Sequence, residues 1–264
     1  MSRRDGYIGM MADDETHTAS VMRSLERALD LLRVIEESPA PLRLSEIAKS
    51  AGLHVATTQR ILNTLIQHDY VKQESFGYAM GITSMLNAHA FLVTNPLILS
   101  ATPVLQELAA SSGLTTSLSM RAGFYQVILV RIEGSTPLRY QLPIGEKLPL
   151  QLGGARVLAA AMSAAQISEL SDAVGDVVLA SGDTLGKADF VRSLEAISEQ
   201  GYAFGISQRV PGAASVAVPV FSREGAVLGA LQVSGLEDDF APADVDRLVD
   251  ELRRASSAIT HRHP

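Results

Sequence analysis

The chain contains no cysteine. That removes disulfides, zinc ribbons, iron–sulfur clusters and thiol nucleophiles together, so any chemistry must use oxygen or nitrogen. No apolar run approaches the roughly 18 residues needed to span a bilayer. The first residues carry Asp5, Asp13, Asp14 and Glu15 in place of a signal peptide's basic head and apolar middle. The expectation is a soluble cytoplasmic protein with no membrane partner. Internal repeats, low-complexity tracts and the GxGxxG, GxSxG, SxxK and HExxH motifs are also missing, which leaves dinucleotide, hydrolase and zinc-protease chemistry without a foothold. Gly182 to Ala188 superficially resembles a phosphate loop but is one residue short between its glycines and has Ala188 where a hydroxyl must bind magnesium. The six histidines form no helical pair at metal spacing, so neither metal nor cofactor is expected.

What is present is a large apolar fraction. Of 264 residues, 47% are hydrophobic and 19% charged, enough to bury the cores of two domains and too apolar for global disorder. The net charge of −7 argues against indiscriminate nucleic-acid binding over the whole surface. It is unevenly spread. Residues 1–20 hold two basic and four acidic side chains, 21–80 hold seven of each, and 81–264 hold thirteen and eighteen, giving −2, 0 and −5. Only the second segment would not repel a polyanion.

That segment is punctuated into helices. From Met22 to Ser38, Leu25, Ala28, Leu29, Leu32 and Ile35 recur at three and four until Pro39 and Pro41 intervene. Leu44 to Ala51 is a short second helix, with Ser45 near its cap, Ile47 and Ala48 inward, and Gly52 supplying the turn. Val55 to His68 is a third, with Ile61, Leu62, Leu65 and Ile66 inward. Tyr70 to Gln73 and Tyr78 to Met80 form a hairpin with a four-residue loop. Gly81 to about Thr94 reads as a connecting helix ending before Pro96. Beyond it come a helix over Leu97 to Ser111, strands over Thr115 to Arg121, Tyr125 to Ile132 and Leu138 to Leu142, an alanine-rich helix after Gly153 and Gly154, and a helix over Lys187 to Gln200. A hairpin of Ala214 to Phe221 with Gly225 to Ser234 and a last helix from Ala241 to about Ile259 complete an α+β layer.

Helix, glycine turn, helix, hairpin is winged helix-turn-helix order, in which the second helix of the pair enters the major groove. The third helix leaves Ala56, Thr57, Gln59, Arg60 and Asn63 outside. Arg suits guanine, Gln and Asn suit adenine, and Thr57 with the helix's first amides suits phosphate; Lys72 on the wing is a backbone contact. The bland alternative is a three-helix module for a protein partner with an ordinary solvated face.

In the last hairpin each strand has one apolar and one mixed side: Val216, Val218 and Val220 share a face of the first strand, opposite Ser215, and Val227, Leu231 and Val233 share a face of the second, opposite Gln232 and Ser234. A mixed face of that kind lines a ligand cavity or simply faces water; the pattern alone does not separate the two. Gly153 and Gly154 before a helix suit a carboxylate, or serve only as a turn.

Gly52-Leu53-His54-Val55-Ala56-Thr57-Thr58-Gln59-Arg60-Ile61-Leu62-Asn63-Thr64-Leu65 resembles the recognition helix of IclR-family transcription regulators, and the likeness covers nearly the whole chain. Tyr78-Ala79-Met80-Gly81 is similar to that family's wing exit, while Ala56 stands where a hydroxyl is usual. The resemblance implies a flexible tail over 1–20, a winged module over 21–80 and a linker helix over 81–95. Over 96–264 it implies a GAF-like effector domain in which an antiparallel sheet is flanked by helices. Ile144 to Ala155, Pro211 to Val220 and Gly229 to Gly235 resemble its effector loop and strands, although Arg156-Val157 replaces the usual Gly-Lys. Gly153, Gly154, Ala155, Ser215, Gln232 and Ser234 are the effector-binding positions so implied, and Ser45 joins Ala56, Thr57, Gln59, Arg60, Asn63 and Lys72 as a DNA contact. Gly205 stands where the family has an acid, and Ser207-Gln208 replaces further acids. A roomier, less negative pocket is expected, for an effector larger than a two- or three-carbon acid, such as an aromatic carboxylate or related amide; Tyr140 is a candidate stacking partner. The partners implied are double-stranded operator DNA, a small-molecule carboxylate, and further copies of the chain, meeting through the helices Met22 to Ser38 and Gly81 to Thr94 as a dimer or dimer of dimers. The function expected is an effector-responsive regulator, a repressor of a catabolic operon, and not an enzyme. The alternatives are an enzyme with an appended winged module and a protein-interaction scaffold.

Overall fold

The computed structural model describes residues 22–135 and 142–263, so the expected tail, Tyr140 and most of the expected strand over Leu138 to Leu142 lie outside the described residues. The chain divides into two compact units between Phe91 and Leu92.

In the first unit α1 (22–36), α2 (Leu44–Ser50) and α3 (Val55–Gln67) precede a hairpin of β1 (Val71–Glu74) and β2 (Gly77–Met80), and α4 (Ile82–Thr94) begins there. Leu31, Ile35, Ile47, Leu62, Leu65, Val71 and Tyr78 form its core. Leu25 and Leu29, expected in the buried stripe of α1, are instead exposed. The helix carries two apolar faces: positions 28, 31, 32 and 35 turn inward, and 22, 25 and 29 turn outward. Ser45 does not cap α2. Glu46 does so by accepting the Arg43 N–H at 2.6 Å. The wing turn is tighter than expected, since Glu74 pairs with Gly77 and leaves only Ser75 and Phe76 between the strands. A Cβ at Gly81 would fall on the Asp69 carbonyl oxygen, so this close crossing of backbones requires glycine.

In the second unit α5 (Pro96–Ser112) starts from Asn95, whose side chain accepts the N–H groups of Leu97 and Ile98 at 3.0 and 3.3 Å, with Pro96 fitting the first helical position. It leads into β3 (Thr115–Ala122), β4 (Tyr125–Ile132) and β5 (Lys147–Pro149), and the order continues with a 3-10 turn (Gly153–Ala155), α6 (Arg156–Ala160), α7 (Ala164–Val174), β6 (Val177–Val178), β7 (Thr184–Leu185) and α8 (Lys187–Gln200). It closes with β8 (Ala203–Ile206), β9 (Ala213–Phe221), β10 (Val227–Leu236) and α9 (Pro242–Arg262). The main sheet is antiparallel in the order β5-β4-β3-β10-β9-β8. Val216, Val218, Val220, Leu231 and Val233 pack on α5 and α9, the larger core. Ser256 and Thr260 of α9 also donate to the carbonyls of Pro219 and Phe221. The opposite face presents Ala203, Ala217 and Ala230, small enough for the 3-10 turn, α6 and α8 to close over it with Leu158, Phe190 and Leu194. The helix expected over Ala155 to Met162 is thus a 3-10 turn and five α-helical residues, too short to bring a dipole to its start. Among the described residues no single helix is long and apolar enough to cross a membrane; α4 and α5 pass only together, and α5 is spent on the sheet.

Candidate functional site

The first unit offers an outward helix face. Thr58, Leu62 and Leu65 anchor α3 inward, which leaves Ala56, Arg60 and Asn63 exposed and Thr57 half-buried. No acidic residue lies on α3 to offset Arg60. Gln59, expected to be free for a base, is half-buried and engaged at both ends: its Oε1 accepts from the Tyr78 hydroxyl at 3.2 Å and its Nε2 donates to Asn63 Oδ1 at 2.8 Å. The amide therefore ties the helix to the wing and orients Asn63. Ser45 is exposed in the first turn of α2. Lys72 points from β1 and pairs with Glu74 at 2.6 Å. Phe76, which its sequence context does not single out, is an apolar side chain 84% exposed at the wing tip.

In the second unit a cleft opens on the small-residue face of the sheet. Gly153, Gly154, Ser215 and Gln232 line it together, joined by Gln126, Gly205, Gln208 and Arg209. Strand register sets these positions: Gln232 faces Ala217 and Ser117 across its two neighbours, and Ser215 faces Ser234 and Gly205. Ser215 and Ser234 are buried, so this face does not look onto water. Ala155 is fully buried in the adjoining core and Ser234 accepts the Gln232 Nε2 proton at 2.7 Å; neither lines the cleft. Gly154 is required by packing, because a Cβ there would strike the Gln232 side-chain oxygen and stand 2.8 Å from Ala217 Cβ.

The cleft is not roomier for lacking an acid at 205. Its free volume is about 20 Å³, space for about one water. The reason is Gln208, whose Oε1 accepts the Gly153 N–H at 2.9 Å and whose Cδ sits 2.6 Å from where a Gly205 Cβ would be. Less negative it is: Arg209 is the charged group lining the cleft among the described residues, and it donates to the carbonyls of Pro149 and Leu152. Arg156 is buried beside it, donating to Gly153 O at 3.4 Å and Phe204 O at 2.9 Å, with its pKa lowered by burial. It fastens the glycine turn to β8. Arg131 lies on the same sheet face opposite Ser117, 90% buried and 3.9 Å from Glu133; its Nε and Nη2 have no hydrogen-bond partner among the described residues. Among the described residues no group of three acidic or histidine side chains could hold a metal.

Family models match both units. The IclR helix-turn-helix domain covers residues 24–75, and the C-terminal domain of bacterial transcriptional regulator IclR covers 89–261. The chain is 28% identical over 243 residues to the HTH-type transcriptional regulator XynR of Escherichia coli, covering 91% of this chain and 96% of that one. It is 27% identical over 219 residues to the transcriptional repressor IclR of the same organism, covering 81% and 80%. In fold it resembles an IclR homologue from Microbacterium hydrocarbonoxydans solved with 4-hydroxybenzoate, with a TM-score of 0.72, 18% identity, and 90% and 98% of the two chains covered. The chain belongs to the IclR family of bacterial transcriptional regulators and is a DNA-binding regulator, not an enzyme.

Proposed function

We propose that this regulator represses a catabolic operon in the cytoplasm, binding its operator as a dimer or dimer of dimers and releasing it when a small organic acid enters the cleft. The cleft carries this reading. Arg209, Ser215 and three glutamine side chains converge there on a glycine turn, with no acidic lining residue among those described, which is complementary to a carboxylate and not to a cation. An aromatic carboxylate or related amide is the first class to test, since the Microbacterium homologue holds 4-hydroxybenzoate. Such an effector acts only through its difference in affinity between the released and DNA-bound states.

On the DNA side, Arg60 addresses guanine and Asn63 adenine, while Ser45, Thr57 and Lys72 hold phosphates and Ala56 allows close approach. A module of zero net charge binds weakly at physiological salt, so paired modules on two half-sites supply the affinity. A gel-shift titration on the DNA upstream of the protein's own gene tests the whole reading: retardation reversed by a carboxylate is expected, and no retardation at low salt would overturn it. Arg60→Ala should lose about 1–3 kcal/mol of preference for operator over scrambled DNA; equal discrimination by the variant would remove Arg60 from base reading. Lys72→Ala should weaken all sequences alike and lower the salt slope by about 1. A slope identical to the parent's would take Lys72 off the backbone.

A further inference from the structure

Gln208 lies in the cleft in the pose of a bound ligand, and we infer that its carboxamide is a built-in stand-in for the effector's head group, which a carboxylate must displace to bind. This rests on the cleft being the effector site. Three observations carry it. The Gln208 Oε1 occupies the Gly153 N–H at 2.9 Å, a donor that belongs to the glycine turn and so lies open to any incoming oxygen once Gln208 leaves. The carboxamide fills the space that Gly205 leaves by having no Cβ, and with it in place only about 20 Å³ remains. Its backbone is held independently of its side chain: Ala180 N–H donates to the Gln208 carbonyl at 3.0 Å, Ser181 N–H to the Ser207 carbonyl at 2.8 Å, and Ser207 N–H to the Ala213 carbonyl at 2.7 Å.

Gln208 can therefore swing out by side-chain rotation while its loop stays fastened. A carboxylate is planar like the carboxamide, offers the same acceptor to Gly153, and adds a charge that Arg209 in the same cleft favours. Binding then exchanges one hydrogen bond for a stronger one. Selectivity follows from the exchange: ligands without a planar oxygen head cannot repay the loss of the Gln208–Gly153 bond.

Acetate, which matches the lost end of the side chain, is the test. In the full-length Gln208→Ala protein, acetate should bind about tenfold or more tightly than to the parent, read as a rise in Tm and as a shift of the Gly153 amide resonance, the gain corresponding to the displaced hydrogen bond. Gln208→Glu, isosteric and so safe for folding, should reject acetate and hold the Gly153 amide shifted without ligand. Equal acetate affinity in parent and Gln208→Ala, or an unperturbed Gly153 amide in Gln208→Glu, would overturn the inference. Failure of the effector reading looks different: acetate then binds Gln208→Ala and moves Gly153, while operator affinity stays the same.

Discussion

Replacing Met85 and Leu86 of α4 together by glutamate should leave the chain monomeric and lower operator affinity by about 10²–10⁴-fold, the range lost when two linked modules become one. The helix explains the size of the effect. Ile82, Met85, Leu86 and Phe91 are all exposed, at 64%, 65%, 61% and 47%, and no residue of α4 is buried. Among the described residues this apolar side of α4 is uncovered, although Leu92 packs on the larger core, and Met22, Leu25 and Leu29 of α1 are further exposed apolar side chains. A second copy is the occupant proposed, because reading two half-sites needs two recognition helices held at fixed spacing, and neutral single modules cannot supply the affinity. In the proposed dimer, glutamate at both positions would bring four carboxylates to the seam, and the core of Leu31, Ile47 and Leu62 is left untouched. Analytical ultracentrifugation and gel shift on the full chain check the two halves of the expectation. A variant that sediments as the parent does, or a monomer that binds operator as tightly, would refute the assignment of α4.

The parts of this structure that sequence foretold are those written in local spacing. The three front helices were legible because apolar residues recur at three and four between prolines and glycines, and β9 and β10 because Val216, Val218 and Val220 alternate with Ser215 and Ala217. Where one element carries two apolar faces, spacing does not choose between them, and Leu25 and Leu29 fit the same three-and-four pattern as the residues that are buried. Strand β5 is three residues long and leaves no periodic signal, whereas α7 carries one, with Ile167, Leu170 and Val174 at three and four behind a Ser163–Gln166 capping box, that merges into the alanine-rich stretch before it. The site depends on longer reach. Gly153 and Gln208 are separated by 55 positions and Gln59 and Tyr78 by 19, and nothing in the residues around Gln208 or Gln59 announces the partner. The missing acid at Gly205 was visible, but the expectation of a larger pocket followed only if no neighbour filled the space. Gln208 did.

Gly154→Val should end the response to effector and leave operator binding unchanged. Even the first carbon of the new side chain has no room, since a Cβ at 154 collides with the Gln232 side-chain oxygen and comes within 2.8 Å of Ala217 Cβ on the sheet. Gln232 can turn aside, but Ala217 is fixed in β9, so the glycine turn must lift from the sheet and the displaced amide must enter the cleft. Overpacking of this kind costs about 1–3 kcal/mol of stability, and a lifted turn no longer presents the Gly153 N–H to a ligand in its place beside the sheet. The DNA-reading unit is spared because it packs around its own core of Leu31, Ile47 and Leu62. Carboxylates that release the parent from its operator should fail to release the variant in gel shifts at matched concentration. Release at the parent's concentration would show that the effector does not bind against the turn at Gly154, and the cleft would lose its assignment.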